Sequence, residues 1–123
     1  MRDKIIAILK ERYEVPMTLF RELIPEAQGE TDMIFTNFNY DINANVLIAA
    51  DVSDALIDTL NDLLNNNIVE YVVTTQDVFI KAGAPCYPYP IVKERKLNDL
   101  IKGFCYKRVH WMPVLVRVGI NFN

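Results

Sequence analysis

The sequence predicts an α+β fold: a largely antiparallel sheet covered by helices, in the order ααββαββαβ, within a single domain spanning residues 1–123. Three observations carry this. Apolar residues recur at helical spacing near residues 5–13, 52–64 and 97–104. Runs rich in β-branched and aromatic residues stand at 33–40, 46–50, 68–82 and 112–122. The extended runs read as hairpins separated by helices, which argues for α+β rather than a parallel βαβ sheet. With 123 residues, 51% hydrophobic and 24% charged, the chain can bury roughly two-thirds of the surface its unfolded form exposes.

The first helix carries Ile5, Ile6, Ile8, Leu9 and Tyr13, with Asp3 placed to cap it and Pro16 to end it. "TLFRELI" (18–24) reads as a short second helix capped by Thr18, with a strand at 15–20 as the alternative; Pro25 and Gly29 then break the chain. "MIFTNFNY" (33–40) alternates like a strand, "DINAN" has turn chemistry, and "VLIAA" (46–50) reads as a buried strand. The clearest helix opens at Asp51, with Asp54 at capping-box spacing. Val52, Leu56, Leu60, Leu63 and Leu64 form its inward stripe, and Asn65, Asn66 and Asn67 stop it.

"IVEYVVT" and "VFIKA" read as two strands joined at Thr75–Asp77, a hairpin over 68–82. "GAPCYPYP" holds Pro85, Pro88 and Pro90, which exclude helix and central strand. It reads as a stiff crossing loop whose Tyr87 and Tyr89 pack on the core, or alternatively as a proline-aromatic recognition surface. "ERKLNDLIKGF" (94–104) reads as an amphipathic helix burying Leu97, Leu100, Ile101 and Phe104. The last strand, 112–122, sets Val114, Val116, Val118, Ile120 and Phe122 on one face.

The net charge of −3 hides a division. Residues 1–77 carry 5 basic and 14 acidic side chains, net −9; residues 78–123 carry 8 basic and 2 acidic, net +6. Such asymmetry marks either a surface for an acidic partner or two halves that neutralise each other. No apolar run approaches the ~20 residues that span a bilayer. The N-terminus lacks a signal peptide's apolar core and cleavage site. A cytoplasmic location without a membrane partner is the expectation. Cys86 and Cys105 form no C-x-x-C pair, fit no zinc spacing with His110, and read as reduced, buried thiols. No metal site or cofactor is expected.

The segments 4–13, 18–24, 52–65 and 68–82 together resemble a winged-helix domain: two helices, a recognition helix ending before "IV", and a two-stranded wing. The resemblance covers about 60 residues in two pieces and implies a nucleic-acid reader. Two departures stand out. Some 25 residues with two expected strands separate the second helix from the third, where the motif has a short turn. The would-be recognition helix, "DVSDALIDTLNDLL", has four aspartates and no Lys or Arg. DNA carries about one negative charge per 1.7 Å of axis, so this helix is repelled from a groove.

The cations lie further on. Lys93, Arg95, Lys96, Lys102, Lys107 and Arg108 are interleaved with Tyr106 and His110. Cations mixed with stacking rings suit single-stranded nucleic acid or RNA; the plainer alternative is a solvated helix face, with Trp111 in the core. The resulting expectation is a non-catalytic binding module, a small regulatory protein of viral or plasmid type, with these eight residues as its site. The alternative is a structural protein that assembles through complementary acidic and basic faces. The same pattern, with "VPMTLFRELIPEAQGETDMIFTNFNYD" read as strand, loop, strand, is similar to the small tail-terminator proteins of phages, and that resemblance implies head-to-tail rings. The partner is then a second copy of the chain. No small-molecule ligand is evident. A Cys105–His110 dyad is the one enzyme reading; it has no glycine-rich loop or oxyanion donor beside it. The Asp54, Asp58 and Asp62 ladder reads as a solvated helix face.

Overall fold

The computed structural model describes residues 1–37 and 42–123. Its elements are α1 (Arg2–Arg12), β1 (Glu14–Pro16), α2 (Phe20–Leu23), β2 (Gln28–Asn37), β3 (Ile42–Val52), α3 (Asp54–Asn65), β4 (Val69–Val73), α4 (Gln76–Lys81), α5 (Leu97–Ile101), β5 (His110–Trp111) and β6 (Val114–Val118). The fold is α+β. In place of one sheet there are two, each of three strands, ordered β1-β6-β4 and β2-β3-β5. All pairings are antiparallel except β3 with β5.

The hairpin expected over 68–82 is not formed. Its first strand exists as β4, but it pairs with β6, and residues 76–81 are helix α4. The strands expected at 33–40 and 46–50 therefore share a sheet with β5, not with β4. Residues 38–40 of the first lie outside the described residues. The expected "DINAN" turn lies outside them at Asp41, and its remainder belongs to β3.

The reason α4 is helical lies at its end. Gly83 takes φ +70, its N–H donates to Ile80 O, and the Ala84 N–H donates to Phe79 O. This is the Schellman stop, which needs a residue able to adopt the left-handed conformation. Phe79 is thereby fully buried, edge-on to Trp111 at 5.1 Å. The same stop ends α5, where Gly103 has φ +101 and the Phe104 N–H donates to Asp99 O. It ends α3 too, where Asn67 has φ +57 and the Ile68 N–H donates to Leu63 O.

α3 buries Leu56, Leu60 and Leu63 at helical spacing. Its cap is Ser53 rather than Asp51: the Ser53 Oγ accepts the Leu56 N–H at 3.1 Å. Asp51 instead sits in β3 at φ +55. Gly29 lets β2 approach this corner, because a Cβ there would lie 2.6 Å from Ser53 Cα and from Val52 O. The short helix expected over 18–24 forms as a 3₁₀ turn at Met17–Leu19 followed by α2, and the alternative strand at 15–20 is met only at its start, where β1 ends at Pro16. Thr18 does not cap the helix; its hydroxyl donates to Pro85 O at 2.7 Å.

The crossing loop after α4 does pack on the core through Tyr87, whose ring stands edge-on to Trp111 at 5.4 Å. The Tyr87 hydroxyl accepts the Ala50 N–H at 2.7 Å. β5 is only two residues long and pairs with Val46 and Leu47, so beyond it Tyr87 takes the place of a strand partner. Tyr89, by contrast, is largely exposed. β6 lies between β1 and β4 and buries Val114, Leu115 and Val116 on both faces. It ends at Val118, which leaves Ile120 89% exposed rather than on an inward stripe. Among the described residues no helix is long and apolar enough to cross a membrane.

Candidate nucleic-acid interface

The helix expected over 94–104 is a 3₁₀ turn at Glu94–Lys96 followed by α5. Leu100 is buried, but Ile101 is 57% exposed and Phe104 36%. For Phe104 the cause is the glycine stop at Gly103, which ends the helix before Phe104 can join its inward stripe. The chain then doubles back toward β3. The Tyr106 N–H donates to Ala44 O at 3.1 Å, and the Asn45 Nδ2 donates to Tyr106 O at 2.7 Å. These two bonds fix the loop and with it the Tyr106 side chain.

His110 and Trp111 are neighbours in strand β5, so they point to opposite faces. Trp111 enters the core and is fully buried. His110 turns outward and stacks on Tyr106, ring centroids 3.6 Å apart and planes 12° from parallel. Phe104 meets the same tyrosine edge-on at 5.0 Å. Lys96 Nζ stands 4.5 Å above the Phe104 ring, a cation–π contact. The result is a ladder of three rings on the surface, Phe104, Tyr106 and His110, with Tyr106 in the middle.

Electrostatics reinforce the arrangement. Burial pushes the Tyr106 phenol up, and the Lys93 backbone N–H and the Arg95 charge pull it partly back. The phenol therefore stays neutral at physiological pH. His110 Nδ1–H donates to Arg108 O at 2.9 Å, which holds the ring in the stack. Lys96 also pairs with Asp99 at 3.7 Å. Among the described residues no salt bridge engages Lys93, Arg95, Lys102, Lys107 or Arg108. Lys93 also borders a hollow of about 320 Å³ with Thr74, Gln76 and Ile91.

Of the eight residues expected at the site, Lys96, Tyr106 and His110 are joined through ring contacts. Lys93, Arg95 and Arg108 reach the ladder through backbone or charge. Lys102 and Lys107 are exposed, and among the described residues neither makes a cation–π contact with the rings. Phe104 belongs to the ladder although the helical stripe assigned it to the core; the glycine before it was the signal. Cys105, expected to be buried, is exposed, and Cys86 is half-buried; both are free thiols. No hydrogen bond joins Cys105 to His110 among the described residues, and the imidazole is committed to Tyr106 and Arg108. On α3, Asp54, Asp58 and Asp62 are exposed; Asp54 accepts from Thr31 Oγ1 at 2.8 Å, and Asp62 pairs with Arg2 at 3.4 Å. No protein-family model, curated protein or solved structure matches the chain.

Proposed function

We propose that this chain is a non-catalytic binding module whose Phe104–Tyr106–His110 face engages single-stranded nucleic acid, in a regulatory role. The observation that carries the reading is the ring ladder at the surface beside five cations without salt-bridge partners among the described residues. Successive bases stack on exposed rings whatever their sequence, and cations track the phosphates. The two ends of the ladder, Phe104 and His110, are the platforms for bases, and Lys93, Arg95, Lys107 and Arg108 are the phosphate contacts. The aspartates of α3 disfavour entry of that helix into a duplex groove. The commitment of the His110 ring to its stack supports a binding role over Cys105–His110 chemistry.

The test is fluorescence anisotropy with a labelled 12-nucleotide single strand and the corresponding duplex at low salt. The single strand should bind about 10-fold or more tightly than the duplex. Equal binding of both, or of neither, refutes the proposal.

A further inference from the structure

Beside α3 lies an apolar groove of about 630 Å³, whose lining holds five consecutive residues of β2: Asp32, Met33, Ile34, Phe35 and Thr36. Successive side chains of a strand point to opposite faces, and here Met33 is 8% exposed while Ile34 is 41% exposed. A groove that touches every residue of such a run lies along the strand's edge, not on one of its faces. β2 has a single neighbour, β3, so this edge is the open one. Among the described residues, no backbone hydrogen bond outside the β2–β3 pairing engages residues 30–36.

An open edge is a row of unpaired N–H and C=O groups, ready to pair with an added strand. Native edges are commonly blunted by Lys, Pro or bulges on the edge strand itself. β2 holds no Lys, Arg or Pro over 28–37. Between Thr31 and Asn37 the extra residues of each bulge stand on β3, which runs from Val52 to Ile42 over the same stretch. The lined part of β2 is therefore a regular edge about 17 Å long.

What lines and flanks the groove sets the chemistry of its occupant. α3 contributes Ile57 and Leu64, and α5 contributes Ile101, so inward side chains of an added strand meet apolar surface. The charge beside the edge is negative. Asp32 lines the groove; its Oδ1 accepts the Asp51 N–H at 3.3 Å, and among the described residues it has no salt bridge. Glu30, on the same strand, is exposed and likewise without a salt bridge among the described residues. Asp54 is held at the same end by the Thr31 hydroxyl, which donates to it at 2.8 Å. No Lys or Arg stands in the lining among the described residues. The β2 of a second copy would bring no cation to these carboxylates, whereas a foreign segment with basic flanks does.

We infer that the open edge of β2 takes up an extended segment of another protein as an added strand, with alternating apolar side chains and a Lys or Arg at the end beside Glu30, Asp32 and Asp54. The surface shares no residue with the ring ladder, and the inference does not depend on nucleic-acid binding.

Fluorescence anisotropy of the full chain with labelled nine-residue peptides tests it. The probe alternates valine and threonine between terminal lysines. One control has glutamate at both ends, and a second has its three central residues replaced by proline, which removes backbone donors. The probe should saturate with a Kd below about 500 μM. It should bind about fivefold or more tightly than the glutamate peptide and about 10-fold or more tightly than the proline peptide. Asp32→Asn keeps an acceptor for the Asp51 N–H and should cut the preference over glutamate by about twofold. Ile34→Lys should weaken probe binding about 10-fold, with far-UV circular dichroism to confirm folding; if that protein fails to fold, Ile34→Thr replaces it, with a smaller loss in the same direction. No saturation by the probe, equal binding of either control peptide, or indifference to both substitutions would each overturn the inference. Sedimentation of the chain alone reads the other occupant: a dimer that the Ile34 substitution dissociates would give the edge to a second copy and overturn it as well.

Discussion

Replacing Tyr106 by Ala removes the middle of the ladder and tests whether the rings, and not the cations alone, hold the nucleic acid. The tyrosine touches both other rings, His110 at 3.6 Å and Phe104 at 5.0 Å. Without it the two platforms lose the surface that orients them. Base stacking on an aromatic side chain is worth about 1–3 kcal/mol per base, so affinity for a single strand should fall roughly 5- to 150-fold. The cations stay in place, so the dependence of affinity on salt should not change. Tyr106→Phe keeps the ring and should bind within about threefold of the parent. The loop itself survives the substitutions, because its bonds to Ala44 and Asn45 are made by the backbone of residue 106. Anisotropy titrations at several salt concentrations, with thermal melts as the folding control, read both quantities. Tyr106→Ala binding within twofold of the parent would refute a stacking role, and a fall shared equally by Tyr106→Phe would shift the role from the ring to the hydroxyl.

Two further expectations concern stability. Burial pushes the Tyr71 phenol up to about 12, and its hydroxyl has no hydrogen-bond partner among the described residues. An unfolded tyrosine ionises near 10, so the stability tied to the neutral phenol is complete below about pH 10 and is lost, by ~2–3 kcal/mol, as pH rises toward 12. Tyr71→Phe should remove that part of the alkaline loss and leave stability at pH 7 unchanged or higher, measured by urea unfolding from pH 7 to 11.5. Tyr87→Phe should cost about 1–3 kcal/mol, because the Ala50 N–H loses its acceptor; an unchanged urea midpoint would show that water satisfies that amide.

What was legible in the sequence follows from how local the cause was. α3 was visible because Leu56, Leu60 and Leu63 repeat at helical spacing and Asn67 supplies the left-handed stop; both signals lie within the helix itself. Its exact start was misread because Asp51 and Ser53 are both good caps, and the bend of β3 at Asp51 decides between them. Residues 76–81 carry Val78, Phe79 and Ile80, a strand-like trio, and their helicity depends on Gly83 and on the pocket beside Trp111 that takes Phe79. The glycine was readable and the pocket was not. Phe104 shows the same thing in reverse, since helical spacing continued past Gly103 although the helix did not.

The candidate site was legible in composition, as cations interleaved with rings, but its geometry was not. That His110 stacks on Tyr106 depends on β5 lying beside β3, a pairing of residues some 64 apart in sequence. The division of charge between the two halves remains a property of the surface as well as of the sequence. The acidic residues of α3 are exposed, as are most of the basic residues that follow α4.

The most direct test of the nucleic-acid reading is the slope of log K against log salt for a single strand. Each phosphate contact contributes about −0.7 to the slope for single strands. The four cations assigned to phosphates, Lys93, Arg95, Lys107 and Arg108, lack salt-bridge partners among the described residues, which bounds their share of the slope at about −2.8. Replacing Lys107 and Arg108 together by Ala should reduce its magnitude by about 1.4. A slope near zero, or one that the double substitution leaves unchanged, would contradict the account.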